Sequence, residues 1–256
     1  MAAPIPATIA QEVRDLLAPH LASGGLMFAP DDELVVRLMD MCETLAKANA
    51  AQASLLKAEV IHLTGDLDGA GYWLRNAEKN GERHAALVVS VICHSNLGYI
   101  TKAAADFPDV VRVENGEVDN RLALGLAVGS LSGVVTAAGN LERAGGRVTQ
   151  QEVVSKAREV MQAMATLDVS EGMLQRMMDE AGTLMRSRRL LWMDDAPQYL
   201  VADGSVALFY RLRVTPKTAA EMTWSLAEAL SNLDLIPNGL TIGFTGCETR
   251  SREMVA

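Results

Sequence analysis

Apolar side chains along residues 8–190 recur at helical spacing, interrupted by short polar breaks rich in Gly and Asp. In "DDELVVRLMDMCETLAKANA", Leu34, Val35, Leu38, Met39, Cys42 and Leu45 form one stripe, with Asp31 and Asp32 at the end where the helix dipole favours negative charge. Thr149 and Glu152 have capping-box spacing ahead of "VVSKAREVMQAMATL". They predict a helix from about Gln150 with Val153, Val154, Ala157, Val160, Met161 and Met164 on its apolar face. The pattern changes after Trp192. "PQYLVADGSVALFYRLRV" holds two apolar runs split by Asp203-Gly204, a dipeptide that tolerates the positive φ of a tight hairpin turn. Pro216 and a Thr218 to Glu221 capping box open "KTAAEMTWSLAEALSNL", and "NGLTIGFTG" closes as a strand. The expected fold class is therefore mainly α. A helical domain over residues 1–192, built of helical hairpins or as an irregular bundle, precedes a small C-terminal α/β (ββαβ) unit over residues 193–256, with the boundary at Met193 to Pro197.

The densest break is "LTGDLDGAGYWLRNA", Leu63 to Ala77. A calcium loop built on Asp66, Asp68 and Gly69 would put Arg75 in the closing position, where a bidentate Glu belongs. A dinucleotide loop needs a preceding strand, whereas "SLLKAEVIHL" reads as a helix. The stretch is expected to be a turn between packed helices. Repetition supports this: "GDLDGA", "GYITKA" and "SGVVTA" end at Ala70, Ala103 and Ala137, 33 and 34 residues apart, and Leu74, Phe107 and Leu141 follow each four residues on. Ala58, twelve residues before Ala70, is a second small side chain suited to a helix contact. Over about Ala51 to Gly145 this pattern resembles the tetratricopeptide repeat, which implies antiparallel helix pairs packing small side chains against large ones. The family's first-helix Trp and Tyr positions fall on Ser54 and Ile61, and Pro108 interrupts the second unit. "VVRVENGEVDN", with Asn115-Gly116, suits a small hairpin or an exposed loop.

"LALGLAVGSLSGVVTAAGNL", Leu122 to Leu141, carries no charge. Gly125, Gly129, Gly133 and Ala137 recur every fourth residue, which predicts close packing along one face of a single helix. Each interior Gly costs about 1 kcal/mol relative to Ala, so something should approach that face closely. The length fits a membrane span, but Ser130, Ser132, Thr136, Asn140 and the glycines largely cancel the insertion energy of its Leu and Val residues. A buried central helix is favoured.

Composition narrows the function classes. A hydrophobic fraction of 49% with 4% aromatics suits helix packing by Ala, Leu, Val and Met. A net charge of -9 opposes attraction to nucleic acid or anionic lipid. Arg186, Arg188 and Arg189 read as a helix C-terminal turn. Cys42, Cys93 and Cys247 make neither a disulfide framework nor a metal signature, and the first residues lack a secretory pattern, so a cytoplasmic location is expected. Glu59 and His62 have metal-bundle spacing without a second such pair, and His62 is expected at the surface or capped. Cys93 and His94 point about 100° apart on a helix. His84 reads as part of a solvated first turn. No motif calls for a cofactor or metal. The expected function is a non-enzymatic protein–protein interaction protein, an adaptor, chaperone or assembly subunit, whose partner is another protein or a second copy. Tyr72, Trp73, Tyr99 and Phe107 are its candidate contact residues unless they belong to the core. The alternative is an enzyme with a pocket between the two parts, near Asp194, Asp195 and Arg211. A membrane-active subunit using Leu122 to Leu141 is the third reading.

Overall fold

The structure, a computed structural model, describes residues 6–21, 25–112, 117–192 and 197–247. It is mainly helical with a small C-terminal sheet. The helices are α1 (Pro6–Leu21), α2 (Glu33–Ala46), α3 (Ala50–His62), α4 (Leu67–Lys79), α5 (Arg83–Asn96), α6 (Ile100–Val110), α7 (Val118–Ala127), α8 (Leu131–Arg143), α9 (Gln151–Thr166), α10 (Glu171–Ser187) and α11 (Pro216–Asn232). The strands are β1 (Gln198–Ala202), β2 (Ser205–Leu212) and β3 (Leu240–Gly246).

Local chemistry explains many of the helix starts. Asp32, Asn49, Asp66, Ser170 and Thr215 each cap a helix by accepting a backbone N–H. Asp66 answers for the Leu63–Ala77 stretch: its carboxylate accepts from the Gly69 N–H at 2.8 Å and starts α4. The expected Thr218–Glu221 box is displaced, since Thr215 is the cap and Pro216 the first helical residue, where its missing N–H is harmless. The Thr149–Glu152 box is absent. The Thr149 N–H and hydroxyl instead donate to Asp119 of α7.

Helices α3 with α4, α5 with α6, and α7 with α8 pack as hairpins. Each inner turn holds a left-handed glycine, Gly65, Gly98 or Gly129. At Gly98 and Gly129 the next N–H reaches back to close the helix, Tyr99 to His94 O at 2.8 Å and Ser130 to Gly125 O at 2.9 Å. The repeat is therefore structural, but its third register differs from the sequence reading. Ala70 and Ala103 lie five residues after their turn glycines, and the matching position after Gly129 is Val134 rather than Ala137. Ala137 is buried all the same, because it lies three residues on and shares the helix face.

The single helix expected over Leu122–Leu141 is in fact α7, a turn and α8. Gly129, at φ +65°, reverses the chain and cannot lie on a helix face with the other small residues. Gly125 and Gly133 do pack closely, both against the ring of Phe107, whose atoms a Gly133 Cβ would meet at 3.2 Å and a Gly125 Cβ more closely still. Among the described residues no helix is long and apolar enough to cross a membrane.

Helix α10 makes the array irregular. It packs on α6 and runs back across the turns of two hairpins. Glu171 accepts from the Ser132 N–H at 2.7 Å at the start of α8, and the Gln175 amide donates to Gly129 O at 3.1 Å. Eight residues along, Asp179 accepts from the Thr101 N–H at 3.1 Å at the start of α6. The Arg186 guanidinium donates to Leu97 O at 2.6 Å and Gly98 O at 2.8 Å, so the expected C-terminal role of this arginine extends to another helix. Gly182 touches Gly98 backbone to backbone, an approach that excludes any Cβ. Helices α6, α8 and α9 have no side-chain cap of their own. Each receives a distant carboxylate, from Asp179, Glu171 and Asp119 respectively. The α3–α4 turn is covered by the segment before α2, through the Phe28 N–H to Leu63 O at 3.0 Å.

In the C-terminal unit β2 is central, antiparallel to β1 and parallel to β3, with α11 as the crossover. The inner face, Val206, Leu208, Tyr210, Leu212, Ile242 and Phe244, shares one continuous core with α6 to α11. Trp192 stacks on Tyr210 at 4.0 Å, and the Tyr199 hydroxyl donates to Leu126 O at 3.1 Å. The expected boundary residues 193–196 and the Asn115-Gly116 segment lie outside the described residues.

Candidate functional site: a charged groove over α5

Helices α4 and α6 both pack on α5 and leave between them a groove of about 370 Å³. Helical periodicity explains its lining. Asp68, Gly71, Arg75 and Glu78 lie at steps of three and four on α4, Lys102 and Asp106 are four apart on α6, and Ser90 and His94 are four apart on the α5 floor. Gly71 keeps one wall low, since a Cβ there would meet only the Arg75 guanidinium, at 3.4 Å. Asp68, Arg75, Glu78, Lys102 and Asp106 form no ion pair with any described residue. They hold both signs of charge over a partly apolar floor.

His94 is the most constrained polar group of the floor. Its Nδ1 lies 3.3 Å from Ser90 Oγ, and its ring meets Tyr99 edge-on at 6.4 Å. Burial, helped by the Lys102 charge, lowers its pKa, so it is neutral at pH 7. Serine and imidazole here lie on one helix, and the α5 amides that could stabilise an oxyanion are engaged in the helix. The pair suits hydrogen bonding to a bound group better than nucleophilic attack.

The four aromatic contact candidates do not converge. Tyr72 is 53% exposed and meets Trp73 edge-on at 5.1 Å. Trp73 is half-buried beneath the Lys57 ammonium, 4.0 Å from its ring. Tyr99 lies under the Arg186 guanidinium at 4.0 Å, beside the groove's Lys102. Phe107 is fully buried and belongs to the core, because Gly125 and Gly133 leave room for its ring.

Other sequence candidates fall outside the groove, except Cys93, which is buried beneath its floor. His62 is fully buried rather than exposed, with Nε2 3.3 Å from the Asn96 amide, and burial lowers its pKa to about 4. Burial pushes its helix neighbour Glu59 up to about 7, against the pull of Arg14. The thiols of Cys42, held at about 12, and Cys93 are raised by burial and unreactive. His84 meets the Arg121 guanidinium of α7 at 2.5 Å. Arg211 is exposed on β2, while Asp194 and Asp195 lie outside the described residues. Among the described residues no group of three or more His, Cys, Asp or Glu side chains is placed to hold a metal.

Sequence reasoning missed Ser90, Arg75, Lys102 and Asp106. The available signal was the paired polar positions Ser90 and His94 inside the otherwise apolar "AALVVSVICH". No family model matches the sequence, and no curated protein and no solved structure matches the chain.

Proposed function

We propose that the protein is a non-enzymatic interaction protein of the cytoplasm, an adaptor, chaperone or assembly subunit, whose α4–α5–α6 groove receives a segment of a protein partner. The observation that carries this reading is the set of unpaired charges of both signs converging on one groove. Charges that served only solubility would have no reason to cluster in a concavity. A partner with complementary charges gains steering and register from them, while the half-apolar floor supplies burial.

The test is affinity purification from the native cell with mass spectrometry, comparing wild type with Arg75→Glu/Lys102→Glu. Both side chains line the groove, so the double variant should melt as wild type does. A stoichiometric protein present with wild type and lost from the variant supports the proposal. Retention of the same partners by a folded variant refutes the groove as the contact.

A further inference from the structure

The charges of the α4–α5–α6 groove stand in a definite order. Helices α4 and α6 each pack on α5 and are joined to it by short turns, so they run parallel to each other as its two walls. Counted from the turn glycines Gly65 and Gly98 at 1.5 Å per residue, Asp68 stands about 4.5 Å up the α4 wall and Arg75 about 15 Å, while Lys102 stands about 6 Å up the α6 wall and Asp106 about 12 Å. Anion therefore faces cation at a lower level and again at an upper one, with the signs exchanged between the walls. Among the described residues no ion pair closes either level across the groove. Between the levels, about 9 Å up the α4 wall, Gly71 leaves a gap. Leu67 and Leu74 flank it about one helical turn to either side and make it apolar.

We propose that the groove binds an extended segment of a partner protein in which five successive residues read basic, acidic, apolar, basic, acidic. This rests on the reading of the groove as the contact for a protein segment and names the chemistry of that segment. In an extended chain successive side chains point to opposite walls and advance about 3.3 Å each. The first then meets Asp68, the second Lys102, the third the gap at Gly71, the fourth Asp106 and the fifth Arg75, with heights that agree to within about 2 Å. A segment running the other way reads acidic, basic, apolar, acidic, basic. A helix fits less well. At about 10–12 Å across it would need on the order of 900 Å³ over the same length, against about 370 Å³ in the groove. Its backbone groups are also bonded internally, whereas an extended segment offers N–H and C=O groups to the Ser90 hydroxyl and to His94 Nε2, which has no partner among the described residues. No five successive residues among the chain's own 256 give either order, so the occupant is a different protein and not a second copy.

The test is an NMR titration of the intact protein with three capped peptides of one composition and one net charge, Lys-Glu-Leu-Lys-Glu, Lys-Glu-Leu-Glu-Lys and Glu-Lys-Leu-Lys-Glu, each flanked by Gly-Ser. Wild type should bind the first about tenfold more tightly than the other two, in which two of the four charges meet their own sign. The shift changes should fall on α4, α5 and α6. Arg75→Glu/Asp106→Lys exchanges the upper level at unchanged net charge and should prefer the second peptide. Asp68→Lys/Lys102→Glu exchanges the lower level and should prefer the third. Circular dichroism checks the fold of both variants, and one folded variant is enough to read the reversal. A wild type that binds all three peptides equally, or none of them at millimolar concentration, overturns the charge order. So does a folded variant that keeps the wild-type preference. Capture of a partner from the native cell can still succeed in those cases, because it asks only whether the groove is the contact.

Discussion

The turn edge of the helical array and the β1 edge of the sheet pose one physical problem, backbone groups at a border with no partner inside their own element. The array settles it within the chain: Asp179 and Glu171 supply acceptors to the N-termini of α6 and α8, and Arg186 supplies donors to the C-terminal carbonyls of α5. The sheet settles it along β3 through Thr223, while among the described residues the backbone of β1 bonds only to β2. The difference follows from side-chain reach: α10 runs across the helical turns and carries polar side chains to them, whereas among the described residues the backbone groups of β1 bond only to β2.

The strongest way to break the comparison is at Gly182. A Cβ there falls on the Gly98 carbonyl and Cα, and backbone cannot swing aside as a side chain can. Gly182→Ala gains up to about 1 kcal/mol of helix propensity but should lose about 3 kcal/mol to overpacking, for a net loss of about 2 kcal/mol. Urea unfolding gives the sign. A midpoint at or above wild type would mean that α10 does not lie tightly on the turn edge, and the contrast with β1 would go with it.

The array also settles two titratable groups internally, and this predicts a pH signature. His62 titrates near 6.5 when unfolded and about 4 when folded, so its contribution is present above 6.5 and lost as pH falls towards 4. Glu59 moves from 4.5 to about 7, so its contribution is full below 4.5 and lost as pH rises through 7. Between 4.5 and 6.5 the two slopes oppose, and folding in effect passes a proton from His62 to Glu59. Removing one group should expose the other. Glu59→Gln should become more stable with rising pH across that window, by about 1 kcal/mol per unit, and His62→Gln should become less stable. Denaturation at several pH values reads the slopes, and profiles parallel to wild type in both variants would contradict the burial of the pair.

At Gly129 the sequence argument and the structure give the same sign for different reasons. Close packing on a helix face would make Gly129→Leu far worse than Gly129→Ala. A left-handed turn penalises both by about 1 to 2 kcal/mol and spares Gly129→Asn most of that, since asparagine tolerates positive φ. Thermal melts of the three variants separate the accounts: a graded loss with size favours packing, and a loss relieved by Asn favours the turn.

What could be read in the sequence was local. Helix stripes, the acidic start of α2 at Asp32, the Asp203-Gly204 hairpin and the strand–strand–helix–strand order depend on neighbours within a few residues, and all are present. The repeat spacing was legible as well, but its third register slipped by three residues, because a helix face recurs at that step and Ala137 therefore resembles the true position. Gly129 was misread because a small residue every fourth position looks the same whether the helix continues or turns. The groove and the polar ladder of α10 were hidden for another reason. Asp179 reaches Thr101 and Glu171 reaches Ser132 across 78 and 39 residues, so each side chain reads locally as an ordinary solvated charge.

That ladder provides the smallest and most specific prediction. Asp179→Ala removes the cap of α6 and Glu171→Ala that of α8, and each should cost about 1 kcal/mol, the usual loss for an absent N-cap acceptor. Asp179→Asn keeps an acceptor and should cost less. The two sites are eight residues apart on α10, about 12 Å at 1.5 Å per residue, far enough for their effects to add if α10 is simply a rigid rod touching two independent turns. A double variant that loses clearly more than the sum would mean that α10 leaves both turns together, as one cooperative clasp.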